Sequence, residues 1–205
     1  MKVMMGLVQA ILALSFIMSA TSLPMLVRRN DLQGAGLPKY PLYLQCDKRW
    51  GNDEMGTPGE GERSTICGEG CAMSCVAMGL AGNNITIEGA TATPATLNAW
   101  LEANQGYTCA GGDCNNLVLN KPDAISSRVH LVGEFPKPAF SDLCSSIMKG
   151  NYLAILHVHN RGHFVLATGC NTADQSFNVN DPFYPTTSYA YADVADIIAY
   201  TVDAE

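Results

Sequence analysis

A chain of 205 residues is long enough to bury one hydrophobic core and short for two, so we expect one folded domain. Its formal net charge is −7, and no basic patch with interleaved aromatic residues is present, which argues against nucleic acid or an anionic membrane surface as the partner. The sequence has no phosphate-binding loop and no dinucleotide fingerprint, so it implies no nucleotide cofactor.

The first 22 residues have the pattern of a secretory signal peptide. Lys2 precedes an apolar run from Met4 to about Met18, and Ala20 and Ser22 are placed for cleavage. The run is short for a membrane span, and an uncleaved anchor is the alternative. We therefore predict a secreted protein that is soluble, without a membrane partner, once the signal has been removed.

Residues 23–39 separate this signal from the predicted domain. They lack periodicity and contain glycine, proline and a pair of arginines, which is typical of a linker or a short pro-segment. We place the single domain at residues 40–205 and expect it to be a monomer.

Three helices are predicted in that domain, after a Gly- and Glu-rich loop over residues 51–70. The apolar stretch Cys71–Leu80 predicts a buried helix. A second helix begins at Pro94, with Thr93 as its cap, and stops before Gly106. A third is expected from its cap, Ser141, to Met148, with Leu143 and Ile147 facing inward.

The pattern then changes to β-type runs. Strands are predicted over 152–159, 163–169 and 176–180, with a turn at 160–162 between the first two. Helices followed by an antiparallel sheet indicate the α+β class, with two halves that meet along a cleft.

Three side chains fall where these elements begin or end. Cys71 starts an apolar helix, where unpaired backbone N–H groups and the helix dipole favour a thiolate. His163 opens a strand, and Asp181 follows the end of the next strand. A thiol, an imidazole and a carboxylate in this order predict a nucleophile, a base and the group that orients the base.

Two alternatives compete with this interpretation. Cys67 and Cys75 are rival thiols, although Gly68–Gly70 interrupts the helix before Cys71, and Cys75 lies one turn inside it, where burial raises the pKa of a thiol. His157 and His159, on one face of a strand and close to His163 in sequence, make a zinc or copper site chemically possible. The chain has no C-x-x-C pair of the kind used by structural zinc sites.

Five ordered motifs resemble the bacteriocin-leader-peptidase-like family of papain-fold cysteine peptidases, also called peptidase C-thirty-nine-like. The resemblance covers about residues 40–200. The motifs are Tyr43–Gly51, Gly70–Met78, Thr93–Pro94 before a helix with Trp100–Leu101, Gly162–Val165 and Val179–Pro182.

This resemblance implies a papain-like cysteine proteinase fold, with an N-terminal helical half packed on a C-terminal antiparallel sheet. It also implies a triad of Cys71, His163 and Asp181, with Gln45 in the oxyanion hole, and hydrolysis of peptide or protein substrates without a cofactor or metal. Members fused to a transporter cut after a double glycine, but this chain has neither the membrane spans nor the phosphate loop of those members, so their substrate preference is not carried over.

The eight cysteines leave the outcome open. In a secreted chain they predict disulfides, and the short loop from Cys109 to Cys114 is the easiest to close. A free Cys71 leaves seven others, so at least one more is unpaired or pairs between molecules. The alternatives to a peptidase are a cell-wall amidase or acyltransferase on the same fold, and an inactive, disulfide-rich peptide-binding relative with Cys71 bridged.

Overall fold

The structure of the protein is a computed structural model that describes residues 40–205. The predicted signal peptide, residues 1–22, and the predicted linker or pro-segment, residues 23–39, lie outside the described residues. Within residues 40–205, no helix is both long and apolar enough to cross a lipid bilayer.

Four α-helices form in this part of the chain: α1 (Ile66–Glu69), α2 (Cys71–Gly82), α3 (Pro94–Ala103) and α4 (Phe140–Met148). The predicted helix at Cys71 is thus present and ends two residues later than expected. Helix α3 begins as predicted, because the Thr93 side chain accepts a hydrogen bond from the Thr96 N–H in a capping box. The predicted cap of α4 was wrong: the cap position is Ala139, and the Ser141 hydroxyl donates to Asp142 inside the first turn.

Ten β-strands follow or alternate with these helices. They are β1 (Thr86–Ile87), β2 (Ala90–Thr91), β3 (Tyr107–Ala110), β4 (Asp113–Leu117), β5 (Val129–Pro136), β6 (Tyr152–Val158), β7 (His163–Asn171), β8 (Ser176–Asn180), β9 (Ser188–Ala190) and β10 (Asp196–Val202). Strands β1–β2 and β3–β4 are separate two-stranded sheets, and the other six form one antiparallel sheet in the order β5-β10-β6-β7-β8-β9. The molecule is therefore of the predicted α+β class.

Helices cover both faces of the six-stranded sheet. Leu153 and Ile155 of β6 belong to an apolar cluster with α2 and α3, whereas Ala154 and Leu156 belong to a second cluster with α4. Because side chains alternate along a strand, these sets point to opposite faces. The predicted arrangement, a helical half packed on a sheet, describes α2 and α3 but not α4, which lies on the other face.

Several elements were missed by the sequence pattern. The expected loop over residues 51–70 contains α1, whose first turn is capped by Thr65. Strand β5 precedes α4 in the chain, so the expected order of helices first and sheet afterwards is wrong at this point. Strand β10, which lies between β5 and β6, was also not predicted.

Three disulfides link the described residues: Cys46–Cys67, Cys109–Cys114 and Cys144–Cys170. The predicted Cys109–Cys114 bridge is therefore confirmed. Cys71 and Cys75 are free, which accounts for the expected second unpaired cysteine. Disulfides of this kind are compatible with a secreted protein.

Candidate active site

Cys71 lies at the first position of α2. Its neighbour Gly70 ends α1 and caps α2 without a side-chain hydrogen bond, so the first N–H groups of α2 have no side-chain cap. A side chain at Gly70 would not fit, because its Cβ would lie 2.5 Å from the Ile66 carbonyl oxygen. The close approach of α1 and α2 therefore requires glycine here, and it leaves Cys71 partly exposed at a positive helix end.

His163 and Asp181 form a buried pair on neighbouring strands. His163 is the first residue of β7, and Asp181 directly follows β8, its antiparallel neighbour. The His163 Nε2 atom is 2.7 Å from Asp181 Oδ1, and the two residues are only 6% and 2% exposed. The pairing of β7 with β8 thus brings His163 and Asp181 together.

Further donors hold the Asp181 carboxylate. Its Oδ1 accepts hydrogen bonds from the backbone N–H groups of Phe183 and Tyr184, both at 2.9 Å, and its Oδ2 accepts one from the Tyr189 hydroxyl at 2.8 Å. Burial raises the pKa of Asp181, but these bonds and the bond to His163 outweigh it, so the pKa lies below its ordinary value. Asp181 is therefore held as a fixed anion behind the imidazole.

The pKa of His163 is raised to about 9. Burial alone lowers it, but hydrogen bonding to Asp181, the neighbouring Cys71 sulfur and the negative charge of Asp181 together more than compensate. An imidazole with such a pKa is protonated at neutral pH. Because Asp181 takes Nε2, the ring's Nδ1 is the nitrogen left to exchange a proton with Cys71.

Packing of α2 against β7 brings Cys71 and His163 to the same end of the molecule. One turn into α2, the buried Cys75 thiol donates to the Phe164 carbonyl oxygen at 3.6 Å, directly after His163. The first turn of α2 is thereby fixed beside the first residues of β7. The predicted Cys71, His163 and Asp181 are thus neighbours in the structure, although they are far apart in the chain.

Gln45 is hydrogen-bonded to the segment that follows Asp181 and to the segment that precedes Cys71. Its backbone N–H donates to the Pro182 carbonyl at 2.8 Å, and its Nε2 donates to the Cys67 carbonyl at 2.8 Å. Because the Cys67 carbonyl oxygen can only accept a hydrogen bond, the Gln45 atom that faces it is the amide nitrogen. The side chain is 3% exposed, and Oε1 has no hydrogen-bond partner within residues 40–205. The second Nε2 hydrogen remains available for another acceptor.

The rival cysteines do not have the features of a nucleophile. Cys67 lies on α1 and is bridged to Cys46, so its sulfur is not a thiol. Cys75 is fully buried, and burial raises its pKa well above the ordinary thiol value, with a further rise from the nearby Cys71 and Asp181. Among the eight cysteines of the chain, all within residues 40–205, Cys71 alone is both unpaired and accessible.

The histidines of the alternative metal site face different partners. The Nδ1 of His157 is 2.7 Å from Asp196, whereas the Nε2 of His159 is 3.0 Å from the Tyr189 hydroxyl. His159 also lies beyond the end of β6 with a φ of 51°, so the strand alternation that predicted a shared face does not extend to it. His163 is bonded to Asp181, and the group of potential metal ligands found among residues 40–205 contains His157 with Glu134 and Asp196, but neither His159 nor His163.

Two cavities are lined by residues of the Cys71, His163 and Asp181 group. One, of about 230 Å³, is lined by Cys71 together with the apolar side chains of Met55, Phe164 and Ile198. Another, of about 330 Å³, is lined by Asp181 and by exposed Leu42 and Leu44. A larger cavity of about 410 Å³ around Tyr189 does not include Cys71. We place the candidate site in the first cavity because that cavity contains the unpaired, partly exposed Cys71.

Sequence reasoning missed several parts of this site. The Tyr189 hydroxyl bonds Asp181 across the sheet edge, and no local motif around Tyr189 announces that contact. The Cys46–Cys67 bridge beside Gln45 was not deducible either, because connectivity does not follow from sequence. The backbone donors to Asp181 follow Pro182, so the Asn180–Pro182 turn was the one available signal.

Comparison with known proteins identifies no relative of this chain. No protein-family model matches the chain, and searches of curated proteins and of solved structures find no match. The chemistry of the site is therefore argued from its own residues. Those residues are an accessible thiol, an imidazole with a raised pKa and a buried carboxylate held in one cluster.

Proposed function

We propose that this protein is a secreted cysteine peptidase that hydrolyses peptide bonds with Cys71 as nucleophile. The observation that carries the proposal is an unpaired, partly exposed thiol at a helix start, beside a histidine whose far nitrogen is bonded to buried Asp181. Such a set supplies a nucleophile, a proton carrier and an orienting group, which is what covalent acyl transfer needs. No metal or cofactor takes part in the proposed reaction.

In the proposed first step, the Cys71 thiolate attacks the carbonyl carbon of the scissile bond. A carbon–sulfur bond forms, and the carbonyl π electrons move to oxygen. His163 then donates its Nδ1 proton to the amine nitrogen as the carbon–nitrogen bond breaks. In the second step His163 takes a proton from water, the hydroxide attacks the thioester, and Cys71 leaves as the thiolate.

Gln45 is the proposed side-chain donor to the oxyanion. Its Nε2 keeps one hydrogen on the Cys67 carbonyl, four residues before the nucleophile, and has a second hydrogen to offer. The Cys71 backbone N–H is the proposed second donor, since it belongs to the free first turn of α2. A donor aimed at the developing charge is worth about 2.7 to 4 kcal/mol in other hydrolases.

The proposal includes a papain-like fold of the bacteriocin-leader-peptidase-like type. Support comes from the position of the thiol on a helix packed against an antiparallel sheet that carries the histidine and the carboxylate. The disulfides are compatible with the proposed secretion. One cavity beside Cys71 and another beside Asp181 offer room for a substrate that extends beyond the bond that is cut.

Alkylation under non-reducing conditions tests the thiol directly. Iodoacetamide followed by mass spectrometry should label Cys71 within minutes and leave Cys75 unlabelled, because Cys75 is buried with a raised pKa. A Cys71 that resists labelling in the folded protein would favour the inactive peptide-binding alternative.

Substitution then tests the reaction. Cys71→Ala should lower hydrolysis of denatured protein substrates by at least about 10⁴-fold. Cys75→Ser, which removes the other free thiol and keeps a donor for the Phe164 carbonyl, should retain it. Full activity of Cys71→Ala would overturn the assignment. Hydrolysis of peptidoglycan fragments in place of protein would replace the peptidase with a cell-wall amidase that uses the same residues.

A further inference from the structure

The cavity that contains Cys71 has an apolar wall and an acidic rim. Its wall is formed by carbon and sulfur atoms of side chains such as Met55, Leu117 and Phe164. Three carboxylate residues also line it: Glu69 from the end of α1, Asp113 from β4 and Glu134 from β5. No lysine or arginine is among the described residues that line this cavity.

A buried amide fixes two of these carboxylates on the rim. The Nδ2 group of Asn115, which is 7% exposed, donates to Glu69 Oε2 at 3.0 Å and to Asp113 Oδ1 at 2.7 Å. Its Oδ1 accepts from the Ser64 backbone N–H at 2.9 Å, so the amide itself is held in place. Two anions are thus brought together by a neutral donor, which leaves their charge uncompensated.

The third carboxylate, Glu134, lies beside a histidine and another carboxylate. One ring nitrogen of His157 and one carboxylate oxygen each of Glu134 and Asp196 lie within 4.8 Å of one another. Asp196, however, already binds both Arg161, through Nε, and the Nδ1 of His157. The arginine charge is therefore matched by Asp196, whereas Glu134 forms no ion pair with a lysine or an arginine among residues 40–205.

We propose that this cavity binds a positively charged side chain of the substrate, lysine or arginine, beside the bond that is cut. A long cationic side chain fits such a site because its methylene groups pack on the apolar wall while its charged end reaches the carboxylates. The inference rests on the proposed function, since Cys71 lines the same cavity and is the point at which a bound substrate would react. It adds the charge class of the substrate to that function.

Charged thiol reagents test the inference without any hydrolysis. The rate of Cys71 modification is measured with two methanethiosulfonates of similar size, one with an ethylammonium group and one with an ethylsulfonate group. We expect the ammonium reagent to react at least about tenfold faster, and we expect salt to reduce that ratio. Equal rates, or a faster sulfonate, would overturn the acidic pocket.

Single substitutions locate the charge. Glu134→Gln and Glu69→Gln alter exposed carboxylates and should each lower the ratio roughly threefold. Glu88→Gln changes the net charge equally but lies in the β1–β2 turn, outside the cavity, and should leave the ratio unchanged. An equal effect of all three substitutions would mean that the ratio reports overall charge and would contradict the proposal.

Peptide hydrolysis provides the second readout. In peptides varied one position at a time, arginine or lysine at one position next to the cut should raise kcat/KM at least about tenfold over glutamine or leucine, and Glu134→Gln should reduce that preference. Cleavage of neutral and cationic peptides at the same rate would refute the pocket and leave the peptidase intact. Charge-selective labelling of Cys71 without cleavage of any peptide would refute the peptidase and leave the cationic site standing.

Discussion

At the residue scale, the hydrogen bond between His163 and Asp181 is central to the pKa of His163. Asp181 is 2% exposed and accepts four hydrogen bonds, so its charge cannot be screened by bulk water. Burial alone lowers the pKa of His163, and the Asp181 charge and hydrogen bond contribute to raising it to about 9. The neighbouring Cys71 sulfur therefore lies beside an imidazole with a raised pKa, as the proposed mechanism requires.

The pH dependence of kcat/KM should show the effect of this hydrogen bond on the pKa of His163. The folded pKa of His163, about 9, lies above the ordinary value of 6.5, so the stabilising proton is fully bound below pH 6.5 and is lost as pH rises through about 9. We expect the basic limb of kcat/KM near pH 9. Asp181→Asn should move that limb toward pH 6.5 and reduce the maximum, because the acceptor charge is gone.

Tyr189→Phe provides the matched control for this experiment. It removes one of the four hydrogen bonds to Asp181 and keeps the charge, so the basic limb should shift far less than in Asp181→Asn. Kinetic titration from pH 5 to pH 10 with a small amide substrate gives all three profiles. A basic limb at the same pH in Asp181→Asn and the unmodified protein would show that Asp181 does not set the His163 pKa.

At the element scale, α3 contributes stability without touching the site. Thr93 caps α3 through the Thr96 backbone N–H, and the Thr96 hydroxyl accepts from the Thr93 N–H in return. No residue of α3 lines the cavity beside Cys71. The helix instead buries Leu97 and Leu101 in the cluster that it shares with α2.

Thr93→Ala should therefore lower the free energy of unfolding by about 1 kcal/mol and leave kcat/KM unchanged. Urea denaturation monitored by tryptophan fluorescence measures the first quantity. Thr93→Ser retains a hydroxyl acceptor and should recover most of the loss. An unchanged midpoint for Thr93→Ala would mean that the capping box does not limit the stability of α3.

The sequence predicted those helices and strands that are marked by a short motif of neighbouring residues. The cap at Thr93, the glycine before Cys71 and the strand β8 all follow from short stretches of sequence. Strand β10 was missed because it pairs on both sides and is buried on both faces: Ile197 and Ile198 belong to different apolar clusters. A strand of that kind has no alternation of apolar and polar residues for a pattern to detect.

The same division holds for the candidate site. Cys71, His163 and Asp181 were predictable because each stands at the boundary of an element with a clear local signal. Tyr189 was not, because its bond to Asp181 joins two strands through the fold alone. The acidic rim was equally hidden, since Glu69, Asp113 and Glu134 come from three separate elements.

At the scale of the whole molecule, two disulfides of similar span have different positions relative to the site. Cys46–Cys67 and Cys144–Cys170 separate their partners by 21 and 26 residues. The first bridge joins Cys46, the residue after Gln45, to Cys67, whose carbonyl oxygen accepts a hydrogen bond from the Gln45 amide. The second ties α4 to the end of β7 that is remote from His163.

Removal of each bridge should therefore cost similar stability but different activity. The loop-closure model gives about 3 kcal/mol for either span, so Cys46→Ala/Cys67→Ala and Cys144→Ala/Cys170→Ala should lose comparable free energy of unfolding in urea. Only the first pair should lower kcat/KM, by about tenfold or more, because Gln45, the proposed oxyanion donor, is then less firmly held. The comparison is made at a temperature at which both variants are fully folded. Equal kcat/KM in the two variants would show that the Cys46–Cys67 bridge stabilises the fold without positioning Gln45.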